Sequence, residues 1–212
     1  MHNTKHLAAL FDLDGVIIDT ESQYSQIWGA IGSTFRSDIE NFSEIIKGQT
    51  LTAILSKWFP NKETQNKVVD MLNEYESRMN YTYIAGAEAY LRELRSKGIQ
   101  TALVTSSNEI KMQNVRRAHE GFDRFFDAIV TADSITHSKP HPECFLKAAE
   151  MLGVEPRNCV VFEDSFNGLA AGRAAEMMVV GLATTNPHEA IADKADIVVS
   201  NFCDERCLNI FA

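Results

Sequence analysis

Apolar residues fall along this chain in two rhythms. Short runs of β character recur at 7–13 (LAALFDL), 99–105 (IQTALVT), 128–131 (AIVT), 159–162 (CVVF) and 177–182 (MMVVGL), with a sixth candidate at 197–199. Between them, apolar positions take helical spacing. Ala87, Tyr90, Leu91 and Leu94 share one face until Gly98 stops the pattern. A helix is expected over 108–119. Phe145, Ala148, Ala149 and Leu152 share a face over 142–152, with Pro142 near the start and Gly153 as the stop. Another helix is expected over 165–175. From 19 to 83 the chain is polar and rich in helix signals, with no convincing strand. There Val68, Met71, Leu72, Tyr75 and Met79 line one helix face. Strands alternating with helices predict an α/β core with a parallel sheet covered on both faces. Residues 18–84 form an all-helical insert after the first strand, and 1–17 with 85–212 form the core.

A parallel sheet binds ligands beyond the carboxyl ends of its strands. After the first strand come Asp12, Asp14 and Gly15. After the second come Thr105, Ser106, Ser107 and Asn108. Asp133 and Lys139 follow the third, and Glu163, Asp164 and Ser165 follow the fourth. Carboxylates so grouped repel one another unless a cation sits among them, and hard oxygen donors suit Mg²⁺. One carboxylate of the Asp12/Asp14 pair is placed to attack phosphorus while the other moves a proton. The 105–108 stretch serves equally as a helix cap or as a phosphate cradle. Lys139 suits a transition state that gathers negative charge. Of Glu163 and Asp164, Asp164 is the better metal ligand, although a helix N-cap would also employ it.

The 212 residues include 45% hydrophobic and 23% charged positions, an ordinary globular composition. The formal net charge of −9 argues against nucleic-acid binding. No apolar stretch reaches the roughly 20 residues of a membrane helix, and Asp12 and Asp14 interrupt the only apolar run near the start. With no signal-peptide pattern and no C-x-x-C among Cys144, Cys159, Cys203 and Cys207, the expected setting is cytoplasmic with reduced thiols. The six histidines show no metal-ligand spacing. Nucleotide-binding glycine loops and the G-x-S-x-G elbow are absent.

In order along the chain, FDLDGVIIDTE (11–21), LVTSSN (103–108), SKPHPECF (138–145) and VVFEDSFNGLAAGRAA (160–175) resemble the motifs of the haloacid dehalogenase-like hydrolases. The resemblance is to the β-phosphoglucomutase-like phosphatase branch, and it spans nearly the whole chain. It implies a Rossmann-like core with a mobile helical cap at 18–84. Asp12 would be the nucleophile and Asp14 the general acid/base. Thr105 and the Ser106 amide would hold the phosphoryl group, and Lys139 would bridge it to the nucleophile. Asp12, Asp164 and the Asp14 carbonyl would bind Mg²⁺, with Glu163 in or near its water shell. Lys47, Gly48 and Gln49 would face the site from the cap and help choose the substrate. Asn108 stands where some relatives carry a phosphate-clamping lysine.

Two positions depart from the mutase pattern. Tyr24 stands where a histidine assists the acid/base, and Leu51 where an arginine holds a second phosphate. The expectation is therefore an Mg²⁺-dependent phosphatase acting on small phosphorylated metabolites such as sugar phosphates, and the resemblance implies a monomer. The alternatives are a phosphosugar mutase, a phospho-accepting signalling domain and a catalytically idle binding protein.

Overall fold

The computed structural model describes residues 8–211, so the expected strand start at Leu7 lies outside it. Six strands form one fully parallel sheet in the order β3-β2-β1-β4-β5-β6. They are β1 (Ala8–Phe11), β2 (Gln100–Val104), β3 (Ala128–Val130), β4 (Cys159–Glu163), β5 (Met178–Leu182) and β6 (Ile197–Val199). All six expected strands are present, trimmed or extended by a residue or two. Four helices follow β1 in the insert: α1 (Glu21–Phe35), α2 (Phe42–Ile45), α3 (Leu51–Trp58) and α4 (Lys62–Glu76). Then come α5 (Ala87–Ser96), α6 (Glu109–Ala118), α7 (Glu143–Leu152), α8 (Phe166–Ala174), α9 (His188–Ile191) and α10 (Glu205–Asn209). Among the described residues, no helix is long and apolar enough to cross a membrane.

The period of two along β1 decides which helices cover which face. Ala9 and Phe11 point to one side, where α5 supplies Tyr90, Leu91 and Leu94 and α6 supplies Met112 and Val115. Ala8 and Leu10 point to the other, against Phe145, Ala148 and Leu152 of α7 and Leu169 and Ala171 of α8. Both faces are dry, so the strands read as unbroken apolar runs rather than alternating ones. The Phe11 and Phe162 rings stack with centroids 4.6 Å apart. Burying each such side chain contributes roughly 1.5–3 kcal/mol.

A third apolar cluster lies among the helices of the insert, around Trp28, Ile31, Phe42, Ile54, Phe59, Val68 and Leu72. Its helices close locally. Asn61 caps α4 by accepting from the Glu63 and Thr64 amides at 2.8 and 3.2 Å. The expected stripe ends earlier than its spacing suggested. α4 stops at Glu76, and Met79 packs into the sheet's own core instead. The chain enters and leaves the insert side by side. Asp19 N donates to Thr82 O at 2.8 Å, and Ile84 N to Ile17 O at 2.9 Å.

Candidate active site

Register brings the chemistry together. Phe11 pairs with Leu103 on one side and Phe162 on the other, so the residues just past these three strand ends share one rim. Asp12 is buried there, and its amide donates to Phe162 O at 3.0 Å. Gly15, at φ +74°, turns the chain back, and a Cβ there would overlap the Asp164 carboxylate.

Lys139 reaches this rim from the loop before α7 and is only 1% exposed. Its three ammonium hydrogens are matched by Asp12 Oδ1 at 2.5 Å, Glu163 Oε1 at 2.7 Å and Val104 O at 3.2 Å. Burial works against the charge, but the Asp12 and Glu163 carboxylates hold the pKa above the ordinary lysine value. Burial pushes the Asp12 carboxyl up to about 7, with Lys139 opposing and Glu163 and Asp14 adding to the rise. Asp164 is raised well above the usual carboxylate range by burial, then by Glu21 and Glu163, while it accepts a hydrogen bond from Thr185 Oγ1.

Glu163 is committed to the protein. Besides Lys139, it accepts from the Asp164 and Ser165 amides at 2.9 Å each and from Ser165 Oγ at 3.1 Å. It thereby fixes Lys139 and the turn after β4. Ser165, not Asp164, caps α8, accepting from the Gly168 amide at 3.1 Å. Asp164 is thus not occupied as a cap. Gly168 packs directly on Glu163, leaving no room for a Cβ. Gly168→Ala is expected to cost about 1–3 kcal/mol of folding stability and to lower turnover by shifting Glu163 off Lys139. Urea unfolding and steady-state kinetics check both.

Three expected positions have defined local partners. Asn108 Oδ1 accepts from the Lys111 amide at 3.0 Å, so its side chain caps α6 rather than being reserved for phosphate. Asp133, grouped with the site carboxylates by sequence, instead accepts from the Glu109 amide at 2.8 Å. Thr105 is buried, and its hydroxyl accepts from the Ser107 amide at 3.0 Å, which shapes the loop holding Ser106.

Lys111 is the largest omission of the sequence reading. It lies one turn into α6, is 3% exposed, and pairs with both Asp14 oxygens. Its ammonium also sits 4.3 Å from the Tyr24 ring centroid. Asp14 further accepts from Thr20 Oγ1, and from Ser107 Oγ at 3.1 Å. Tyr24 donates to Glu76 Oε1 at 2.7 Å. The signal was present: Lys111 stands three residues after the cap and so faces the same end of the sheet. His137 and His141 come together with Glu143 on the outer side of the loop that carries Lys139.

These groups surround a cavity of about 120 Å³ whose far wall belongs to the insert. Asp12, Asp14, Glu21, Glu76 and Asp164 line it against only Lys47 and Lys111, and Trp28, Ile46, Leu51 and Ile54 make an apolar side. The insert rests on the sheet rim here. Ser106 Oγ donates to Gly48 O at 2.9 Å, and Asn167 Nδ2 to Lys47 O at 2.6 Å. Lys47 pairs with Glu44 at 2.9 Å and lies 3.7 Å from Glu21. Gln49 Nε2 donates to Ile45 O at 2.9 Å. Glu21 Oε2 is buried without a hydrogen-bond partner, and burial, followed by Asp14, raises its carboxyl to about 7.

Comparison with known proteins agrees with this architecture. The chain is 28% identical over 200 residues to hexitol phosphatase B of Escherichia coli, covering 88% of this chain and 90% of that protein. It is also 28% identical over 211 residues to a bifunctional riboflavin kinase/FMN phosphatase of Arabidopsis thaliana, covering 93% of this chain. It spans only about half (54%) of that longer relative's length. The crystal structure of β-phosphoglucomutase from Clostridium difficile superposes with a TM-score of 0.79 at 28% identity, covering 97% of each chain. The family model described as haloacid dehalogenase-like hydrolase matches residues 7–176. With the parallel sheet and its rim of carboxylates and lysine, that match shows that the chain belongs to the haloacid dehalogenase-like hydrolases, a family of enzymes.

Proposed function

We propose that this hydrolase is an Mg²⁺-dependent phosphatase that clears small phosphomonoesters, sugar phosphates above all, through a phosphoryl group carried on Asp12. The observation that carries the reading is the buried Lys139 ammonium, 2.5 Å from one oxygen of Asp12, a residue that lines a cavity where carboxylates outnumber lysines. Those hard oxygen donors, the Glu21 oxygen that accepts no hydrogen bond and the raised Asp12 and Asp164 carboxyls fit a divalent cation. Asp12 and Asp164 would hold it with the Asp14 carbonyl, and it would offset phosphoryl charge when bound.

The chain's own residues supply the rest. Asp12 attacks phosphorus, and the ester oxygen leaves with a proton from Asp14. Asp14 then takes a proton from the water that cleaves the aspartyl phosphate. Lys139 steadies the charge on the transferring group, and the 105–107 loop offers amides and hydroxyls to its oxygens. Lys111, Thr20 and Ser107 position the Asp14 carboxylate. The Lys47-Gly48-Gln49 segment, seated on Ser106 and Asn167, closes the site against bulk water and faces the leaving group. We read 18–84 as a cap over a core of 1–17 and 85–212, and we place the enzyme in a cytoplasmic setting as a monomer. Asp14→Asn is expected to lower kcat by about 10²–10⁴-fold, the usual worth of a general acid/base, measured by phosphate release under saturating substrate.

Tyr24 and Leu51 favour hydrolysis over mutase chemistry. Leu51 lines the cavity with an apolar side chain where a second phosphate would need a cation, and Tyr24 is engaged with Glu76. The deciding experiment is a phosphate-release screen over hexose, hexitol and pentose phosphates with p-nitrophenyl phosphate as reference. Turnover of several sugar phosphates is expected, with Mg²⁺ required. Formation of glucose 6-phosphate from β-glucose 1-phosphate, with a bisphosphate primer and no phosphate released, would establish the mutase instead.

A further inference from the structure

The loop that delivers Lys139 to Asp12 carries three metal-ligating side chains on its outer side. His137, His141 and Glu143 each bring one candidate ligand atom to within 4.8 Å of the others. A tetrahedral ion with bonds of about 2.0–2.2 Å holds its ligand atoms roughly 3.4 Å apart. Modest closure of the side chains therefore completes such a shell, and both histidines are exposed enough to turn. Pro140 and Pro142 fix φ at two positions between the ligands, which limits how far the loop spreads them.

The local hydrogen bonds prepare the donors. Glu143, the first residue of α7, reaches back to accept from the Thr136 amide at 2.7 Å on Oε1. It accepts the His137 amide at 2.8 Å and His137 Nδ1 at 2.7 Å on Oε2. Three donors occupy a carboxylate that accepts four, so Oε1 keeps a lone pair. His137 Nδ1 already lies 2.7 Å from Glu143 Oε2, so an ion held by both groups would exchange that hydrogen bond for metal bonds. The His141 ring lies 4.6 Å from that of His137. Its Nδ1 accepts from the Glu143 amide at 3.2 Å, a long contact that ligation would exchange for a metal bond.

Two imidazoles and one carboxylate suit Zn²⁺ and its neighbours and discriminate against Mg²⁺, which prefers all-oxygen shells. We propose that His137, His141 and Glu143 form a second divalent-cation site, selective for borderline ions such as Zn²⁺ and distinct from the carboxylate cluster at Asp12. A bound ion would tie both ends of the loop whose middle residue is Lys139, and so restrain the ammonium between Asp12 and Glu163. Any effect on turnover rests on the phosphatase reading; the binding itself does not.

The test is calorimetric titration of the full chain with Zn²⁺ in excess Mg²⁺, which keeps the inner oxygen site filled. Wild type is compared with His137→Ala/His141→Ala, whose fold is verified by circular dichroism and thermal melting. Wild type should bind one more equivalent of Zn²⁺, and the zinc-free phosphatase activity should match. The exposed Cys203 is present in both proteins, so thiol-bound zinc cancels. His137→Ala alone, at a side chain 62% exposed, repeats the comparison if the double variant unfolds. Equal zinc stoichiometry and affinity in wild type and variants would overturn the site. An equal difference on titration with Mg²⁺ alone would overturn its selectivity.

Discussion

Asp12→Asn should abolish phosphate release. The amide is nearly isosteric with the carboxylate, so the fold and the rim contacts survive while the nucleophile does not. Lys139 keeps Glu163 at 2.7 Å and Val104 O at 3.2 Å, which limits the structural damage. Removing the nucleophile of a covalent mechanism typically lowers kcat by on the order of 10⁴-fold or more. The check has two parts. Steady-state phosphate release should fall to background, and acid-quenched reactions with labelled substrate should leave no phosphate on the variant. Wild type should carry that label briefly. A long-lived label on wild type would identify a phospho-accepting domain, since a phosphatase clears its acyl phosphate within each turnover. Undiminished activity in Asp12→Asn would remove the nucleophile from this residue.

Removing divalent cations should have an effect of the same order. Asp12, Asp14, Glu21 and Asp164 border one small cavity, and Lys139 is bonded to Asp12 from behind the lining. Without a cation, burial first and the neighbouring carboxylates after it raise the Asp12 and Asp164 carboxyls, which disfavours the ionised nucleophile. A divalent ion held by Asp12 and Asp164 would reverse that preference and would offset the charge of the arriving phosphoryl group. Treatment with EDTA should therefore reduce phosphate release to background, and added Mg²⁺ should restore it. Mg²⁺ should also raise the thermal midpoint, because an ion at 100 times its Kd stabilises the folded state by about 2.7 kcal/mol. Asp164→Asn should weaken both responses together. Full activity after exhaustive chelation would remove the metal from the mechanism.

The sequence by itself determined the architecture and the main cluster. β-branched runs alternating with helical stripes report burial on both faces of a sheet, and burial acts on every residue of an element at once. That is why six strands, and the helices over 87–96, 109–118, 143–152 and 166–174, stand within a residue or two of their expected bounds. The positions after each strand follow from the same logic, because a parallel sheet collects all its carboxyl ends at one rim. Asp12, Lys139 and Asp164 were legible for that reason.

Only the tertiary structure decided what each polar group faces. Lys111 joined Asp14 because α6 docks beside β1, a contact 97 residues apart in the chain. Asp133 and Asn108 went to the amides of α6, since unpaired helix donors take the nearest oxygen. Glu163 was drawn to Lys139 and to the turn after its own strand. His137 and His141 met only through a proline-bounded loop that no regular periodicity describes. Apolar burial is an average over many contacts and leaves a pattern in the sequence. Hydrogen bonds and ion pairs are short-ranged and directional, so their partners are chosen once the backbone has been placed.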